Sequence, residues 1–249
     1  MKRVFIVHGW GDKPDDHWIP YLKNQLEGSG FEVEALAMPN PDEPKIEPWV
    51  AKLNEAVGKV DQDTLYVGHS VGCQTVMRHL EQQPDGTVCG GALFVAPWFT
   101  LVNLSGPAEE AIAKPWIETA IDLDKVKTRL PRLIALFSDD DPWVTLDNKG
   151  QFEHKLGAKT EVLHDKKHLG VDANLTSFPK AYSCVMELVK DVLPKRYTVK
   201  LKSGERLDVG EFDSLEAVTH WVNTGKAGVE YKSEHLSIFP SQIEGIEVE

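Results

Sequence analysis

The chain has 249 residues, of which 41% are hydrophobic and 27% charged, the balance of a globular protein with one large domain or one domain and a small companion. A net charge of −12 excludes the basic surface that nucleic acids and anionic membranes require, so neither is expected as a partner. No stretch approaches the roughly 18 apolar residues of a membrane span, and three unclustered cysteines (Cys73, Cys89, Cys184) suit a reducing compartment, so a cytoplasmic location is expected.

In chain order, residues 3–7 are a continuous β-branched and aromatic run, as in a strand buried on both faces of a parallel sheet. The run ends in His8-Gly9-Trp10-Gly11, a turn at the strand end where ligands bind in open α/β sheets. His8 reads as a residue that fixes this loop. A helix is expected from Asp16 to Glu27, capped by Asp15 or Asp16 and ended by Gly28-Ser29-Gly30. Residues 31–37 read as a strand, followed by a proline-rich loop to Pro44. Trp49, Val50, Leu53 and Val57 then mark a helix by their spacing.

Residues 65–67 form the next strand, leading into Gly68-His69-Ser70-Val71-Gly72 and a helix starting near Cys73. Gly-x-Ser-x-Gly is expected by chance only roughly 0.06 times in a chain of this composition. Between a strand and a helix it describes a tight turn that exposes a serine hydroxyl and aims helix amides at a developing negative charge. Residues 91–96 are strand-like. Residues 97–130 show no clear strand, only short helices near 109–113 and 124–129 with a restart at Lys114-Pro115-Trp116. They are expected to form a small cap-like insert, in which Trp98, Phe99, Leu101 and Trp116 either shape a substrate pocket or simply pack the insert down.

A buried strand at 132–137 runs into Ser138-Asp139-Asp140-Asp141-Pro142. A helix at 147–156, a strand at 160–163, the loop His164 to Gly170 and a helix at 175–193 complete the alternation. The fold class is therefore α/β, a doubly wound parallel sheet of about six strands over residues 1–193. Residues 196–249 change character. A hairpin (197–202, 206–209), a helix (214–224) and short strands (229–232, 236–239, 243–248) suggest a small α+β module, a candidate for protein contact or self-association. His220 and His235 in this module read as surface or packing residues.

A serine is a nucleophile at neutral pH only beside a base that a carboxylate orients. On this fold the order is serine, acid, base, each in a loop after a strand. Asp141, at the head of an Asp-x-x-Val turn, is preferred as acid, with Asp140 next. His168 is preferred as base over His164, which stands at the strand end. The amides of Val71 and Trp10 are the candidate oxyanion donors. His164 and His168 lack the H-E-x-x-H context of a zinc helix and no phosphate loop is present, so neither metal nor cofactor is expected.

Ile6-Val7-His8-Gly9-Trp10, residues 16–22, Ala37-Met38-Pro39-Asn40-Pro41, the serine motif and Ser138-Asp139-Asp140-Asp141-Pro142 together resemble the small serine hydrolases of the retinoblastoma-binding-protein-9 and YdeN-like family, over about residues 1–193. The resemblance implies a compact α/β hydrolase with Ser70, Asp141 and His168 as its triad. One departure is Lys167-His168-Leu169-Gly170, where Gly-His-Phe-Asn or similar is expected. The expected function is cleavage of a small carboxylic ester, or amide, through an acyl-enzyme on Ser70, with acyl transfer to another acceptor using the same residues. The alternative is a weakly catalytic binding protein on a hydrolase scaffold, with 196–249 as its interaction surface.

Overall fold

The structure is a computed structural model that describes residues 1–190, 195–204, 206–212, 228–231, 234–237 and 243–248. The chain divides into two compact units, Met1–Val189 and Lys190–Glu249. In the first unit, β1 (Arg3–Val7), β2 (Glu32–Leu36), β3 (Thr64–His69), β4 (Gly91–Val95), β5 (Leu133–Ser138) and β6 (Lys159–Leu163) form one sheet ordered β2-β1-β3-β4-β5-β6. Every pairing in it is parallel.

Alternation along the strands sends Phe5, Val7, Tyr66, Phe94 and Phe137 to one face and Val4, Ile6, Val67, Leu93 and Leu136 to the other. The first face is covered by α2 (Ile46–Val57), α3 (Val71–Glu81), α5 (Leu123–Arg129) and α6 (Asp147–Leu156), through Trp49, Val76, Val126 and Phe152. The second is covered by α1 (Ile19–Gly28) and α7 (Pro179–Leu188), through Leu22, Leu26, Ala181 and Val185. The winding direction reverses once, between β1 and β3. The loops after these two strands therefore meet at the C-terminal edge, where α/β sheets bind ligands.

Several boundaries differ from expectation. The first helix starts at Ile19, not Asp16, because His17 takes φ 53°, which an α-helix cannot contain. Neither Asp15 nor Asp16 caps it; Asp16 Oδ2 accepts instead from Lys13 N at 2.8 Å. The helix after the serine begins at Val71, two residues earlier than expected. In the insert, α4 (Pro107–Glu118) runs straight through Pro115 with no restart. Its last turn is held by Arg78, whose Nη2 donates to the carbonyls of Trp116 (3.0 Å) and Thr119 (2.7 Å). The final helix of the unit is shorter than expected. A 3₁₀ turn at Val171–Ala173 precedes it, and Pro179 in its first turn sets its start.

In the second unit, β7 (Lys195–Leu201), β8 (Arg206–Phe212) and β11 (Ile243–Val248) form an antiparallel sheet ordered β11-β7-β8. A separate hairpin pairs β9 (Gly228–Tyr231) with β10 (Glu234–Ser237). The helix expected at 214–224, with His220, lies outside the described residues. No described helix is long and apolar enough to cross a membrane.

Candidate active site

Ser70 joins β3 directly to α3 with φ 53° and ψ −118°, a conformation that costs a non-glycine residue about 1–3 kcal/mol. Its neighbours explain how the turn is kept. A Cβ on Gly68 would stand 2.8 Å from Cys73 Cα, and one on Gly72 only 2.3 Å from the Val7 carbonyl oxygen. Both glycines of the motif are thus steric requirements of packing α3 against β1 and β3. The turn is pinned by Ser70 N donating to Val95 O at 2.9 Å. Ser70 is largely buried, and its Oγ accepts a hydrogen bond from the indole Nε1 of Trp98 at 3.2 Å.

Asp141 lies after β5. Its Oδ1 accepts from the amides of Trp143 and Val144, both at 2.9 Å, which is what the Asp-x-x-Val turn amounts to physically. Its Oδ2 faces His168 Nδ1 at 2.8 Å, with only 1% of the Asp141 side chain exposed. A carboxylate can only accept here, so Nδ1 carries the hydrogen and Nε2 keeps a lone pair. Trp143 packs edge-on against the imidazole, its ring 5.1 Å away.

The competing candidates are placed elsewhere. Asp140 accepts from Lys167 Nζ (2.6 Å), Ser138 Oγ and Lys167 N (2.8 Å each), and these bonds, the Lys167 side chain first, hold its carboxyl well below the usual range. His164 pairs with Asp139 and is 90% exposed. Asp139 also takes the amide of Asp165.

Ser70 and His168 line one cleft of about 320 Å³ with Trp10, Leu101, Leu104 and Trp143. No hydrogen bond joins the two side chains directly; Ser70 Oγ is turned to Trp98 instead. Among the described residues no acceptor takes the backbone N–H of Trp10 or Val71, the two candidate oxyanion donors. The Trp10 loop is held by its own indole on Asp42 O (2.9 Å) and by buried His8. That ring donates from Nδ1 to Gly9 O (2.8 Å) and accepts at Nε2 from Met38 N (3.2 Å), a neutral tautomer in keeping with a pKa lowered by burial. Of the bulky insert residues, Leu101 lines the cleft and Trp98 touches the serine. Phe99 stacks on Phe152, and Trp116 is buried with its indole on Pro44 O.

Sequence reasoning passed over Asp12 and His69. His69 is the variable residue before the serine, yet it is almost wholly buried. Its Nδ1 meets Asp12 Oδ2 at 3.1 Å and its Nε2 meets the carbonyl oxygen of His168 at 2.9 Å. Burial works against a charge on this ring, but the bond to Asp12 and the nearby carboxylate outweigh it and raise its pKa. A buried polar residue at the end of an apolar strand was the available signal. The one cluster of potential metal ligands among the described residues, Asp12, Asp16 and His17, already spends both Asp12 oxygens on histidines.

A family model described as serine hydrolase matches residues 4–187. The chain belongs to the serine hydrolase family. Among relatives of this hydrolase, YdeN of Bacillus subtilis (strain 168) is 26% identical over 181 residues, 73% of this chain and 93% of that protein. The serine hydrolase RBBP9 of Rattus norvegicus is 26% identical over 169 residues, 67% of this chain and 86% of that one. The crystal structure of the B. subtilis ydeN product superposes with a TM-score of 0.69 at 24% identity, covering 76% of this hydrolase and 98% of that chain. Est1E of Butyrivibrio proteoclasticus shares the fold at a TM-score of 0.57 and 13% identity, over 76% and 88% of the two chains. The match stops short of the second unit.

Proposed function

We propose that this hydrolase cleaves a small carboxylic ester, or amide, through an acyl-enzyme on Ser70, with His168 as base and Asp141 as its orienting acid. The observation that carries the reading is the buried Asp141–His168 bond at 2.8 Å beside a serine in an elbow conformation, in one shared cleft. Ser70 Oγ turns from Trp98 to His168 Nε2, gives up its proton there and attacks the substrate carbonyl carbon. The carbonyl electron pair moves to oxygen, where the Val71 and Trp10 amides receive it. Collapse expels the alcohol or amine, which takes the proton from His168. Water then repeats the sequence on the acyl-enzyme and returns Ser70 to its hydroxyl form.

A cleft near the lower end of the size range of ligand sites, with Leu101, Leu104 and Trp143 as apolar walls, favours a short acyl or alcohol group. Three free, buried cysteines favour a reducing, cytoplasmic setting. The test is covalent labelling with a fluorophosphonate probe, followed by an ester chain-length panel. Wild-type protein is expected to label and to prefer short esters, and Ser70→Ala to do neither. Well-folded wild type that does not label would overturn the proposal.

A further inference from the structure

The loop carrying His168 is held in an unusual state. Asp165, Lys167 and Leu169 all take positive φ (53°, 47° and 58°), each of which disfavours a side-chain-bearing residue. Such a loop persists only where its surroundings impose it. From the β5 side, Asp139, Ser138 and Asp140 accept the amides of Asp165, Lys166 and Lys167. From the opposite side the loop is held at two carbonyls. His69 Nε2 donates to His168 O, and Trp18 Nε1 donates to Leu169 O at 2.8 Å.

The His69 tie continues into Asp12. One carboxylate oxygen of Asp12 accepts from both His69 Nδ1 (3.1 Å) and Gly9 N (3.2 Å), and the other meets His17 Nε2 at 2.9 Å. Gly9 precedes Trp10, the candidate oxyanion donor. A single carboxylate–imidazole pair thus joins the oxyanion loop, the end of β3 and the base loop. Both nitrogens of His69 face groups that only accept, a carboxylate and a carbonyl, so hydrogen-bond logic requires both to carry hydrogen. Packing leaves the ring no freedom. A Cβ on Gly9 would lie 2.9 Å from Nδ1, one on Gly170 would lie 3.1 Å from Cε1, and Trp18 covers the ring edge-on.

We propose that the buried Asp12–His69 ion pair is a positioning clamp that fixes the oxyanion loop relative to the His168 loop, and so sets the rate of the chemical step. Neither side chain is assigned contact with the reacting atoms. The inference rests on the triad reading above. Charged and titratable groups around His69 are His8 and Asp12 from the loop after β1, His17 on the other oxygen of Asp12, Asp141 from the loop after β5 and His168 from the loop after β6.

The test uses full-length protein, with active sites counted by fluorophosphonate titration and kcat and KM measured on a short nitrophenyl ester from pH 5 to 10. Asp12→Asn and His69→Leu are expected to lose ten- to hundredfold in kcat per titrated site, with KM within threefold. His69→Gln keeps a donor for the His168 carbonyl and is expected to recover most of the loss. In Asp12→Asn the basic limb of the kcat profile moves to lower pH, because the imidazolium has lost its counter-charge. A ring that merely fills space would give the reverse order, with His69→Leu tolerated and His69→Gln not. That order, or an unmoved pH profile in Asp12→Asn, overturns the clamp. Should the variants not fold, ¹⁵N-histidine NMR of wild type at pH 7 is expected to show both His69 nitrogens protonated, and a neutral ring overturns it. Absence of wild-type labelling is a different failure, that of the Ser70 assignment.

Discussion

Replacing Asp141 by asparagine separates the two aspartates that compete for the role of acid. The change keeps shape. The amide oxygen can still accept from Trp143 N and Val144 N, so the amide nitrogen must turn towards His168 Nδ1. That nitrogen then has to accept, the ring proton moves to Nε2, and the base can no longer take the proton of Ser70. In triads of this kind the wrong tautomer lowers kcat about 10⁴-fold, or about 5.4 kcal/mol of barrier. Exchanging a charge-assisted hydrogen bond for a neutral one costs about 1–1.5 kcal/mol of stability, a Tm decrease of about 2–6 °C for a domain of this size. Asp140→Asn alters a more exposed carboxylate paired with Lys167 and is expected to stay within tenfold of wild type. The assay is nitrophenyl ester hydrolysis, with folding checked by circular dichroism. A folded Asp141→Asn enzyme within tenfold of wild type, or an Asp140→Asn enzyme equally impaired, would refute the reasoning.

Trp98→Phe removes the indole hydrogen bond to Ser70 Oγ and releases the hydroxyl towards His168; fluorophosphonate labelling is expected to be two- to tenfold faster, matching a bond of about 0.5–1.5 kcal/mol, and slower labelling counts against the resting geometry. Gly72→Ala drives a methyl group to 2.3 Å from Val7 O, so urea titration should show a loss of about 3 kcal/mol or more, whereas an unchanged midpoint would mean that α3 stands off β1. His79 is wholly buried against the Tyr66 hydroxyl, and burial lowers its pKa to about 4. The unfolded chain therefore binds a proton near pH 6.5 that the native state refuses until about pH 4, and stability should fall by about 3 kcal/mol as pH drops through that window. Urea midpoints at pH 7, 5 and 4 measure this, and the slope should flatten in His79→Gln.

The inner strands were the most legible because burial on both faces favours apolar residues: Leu133 to Phe137 contains only apolar residues, and its loop is the first place a carboxylate can stand. The same logic made Ser70, Asp141 and His168 stand out, since each follows a strand at the C-terminal edge of the sheet. Local chemistry failed at several helix boundaries, two of which involve side chains from elsewhere in the fold. His17 adopts a left-handed conformation and bonds Asp12, and the last turn of α4, beyond Pro115, is held by Arg78 from another helix. The Asp12–His69 pair was invisible for a related reason. Its partners lie 57 residues apart, and the His168 carbonyl a further 99 along the chain, so no spacing rule joins them. Trp98 was noticed for its bulk, while the N–H that matters depends on the direction of one side chain.

The three cysteines, all free and buried, also determine what can be done with this protein in the laboratory. Burial pushes the Cys89 thiol up to about 12 and the Cys184 thiol to about 11, and raises Cys73 strongly as well. Since the thiolate is the form that alkylates, the folded enzyme is expected to react slowly with maleimides and iodoacetamides near neutral pH. Any cysteine introduced at an exposed position then becomes a unique address. Val102, on the insert near the cleft and 37% exposed, is one such place: Val102→Cys carrying a fluorophore or spin label would report on movement of that wall during turnover, against a silent background.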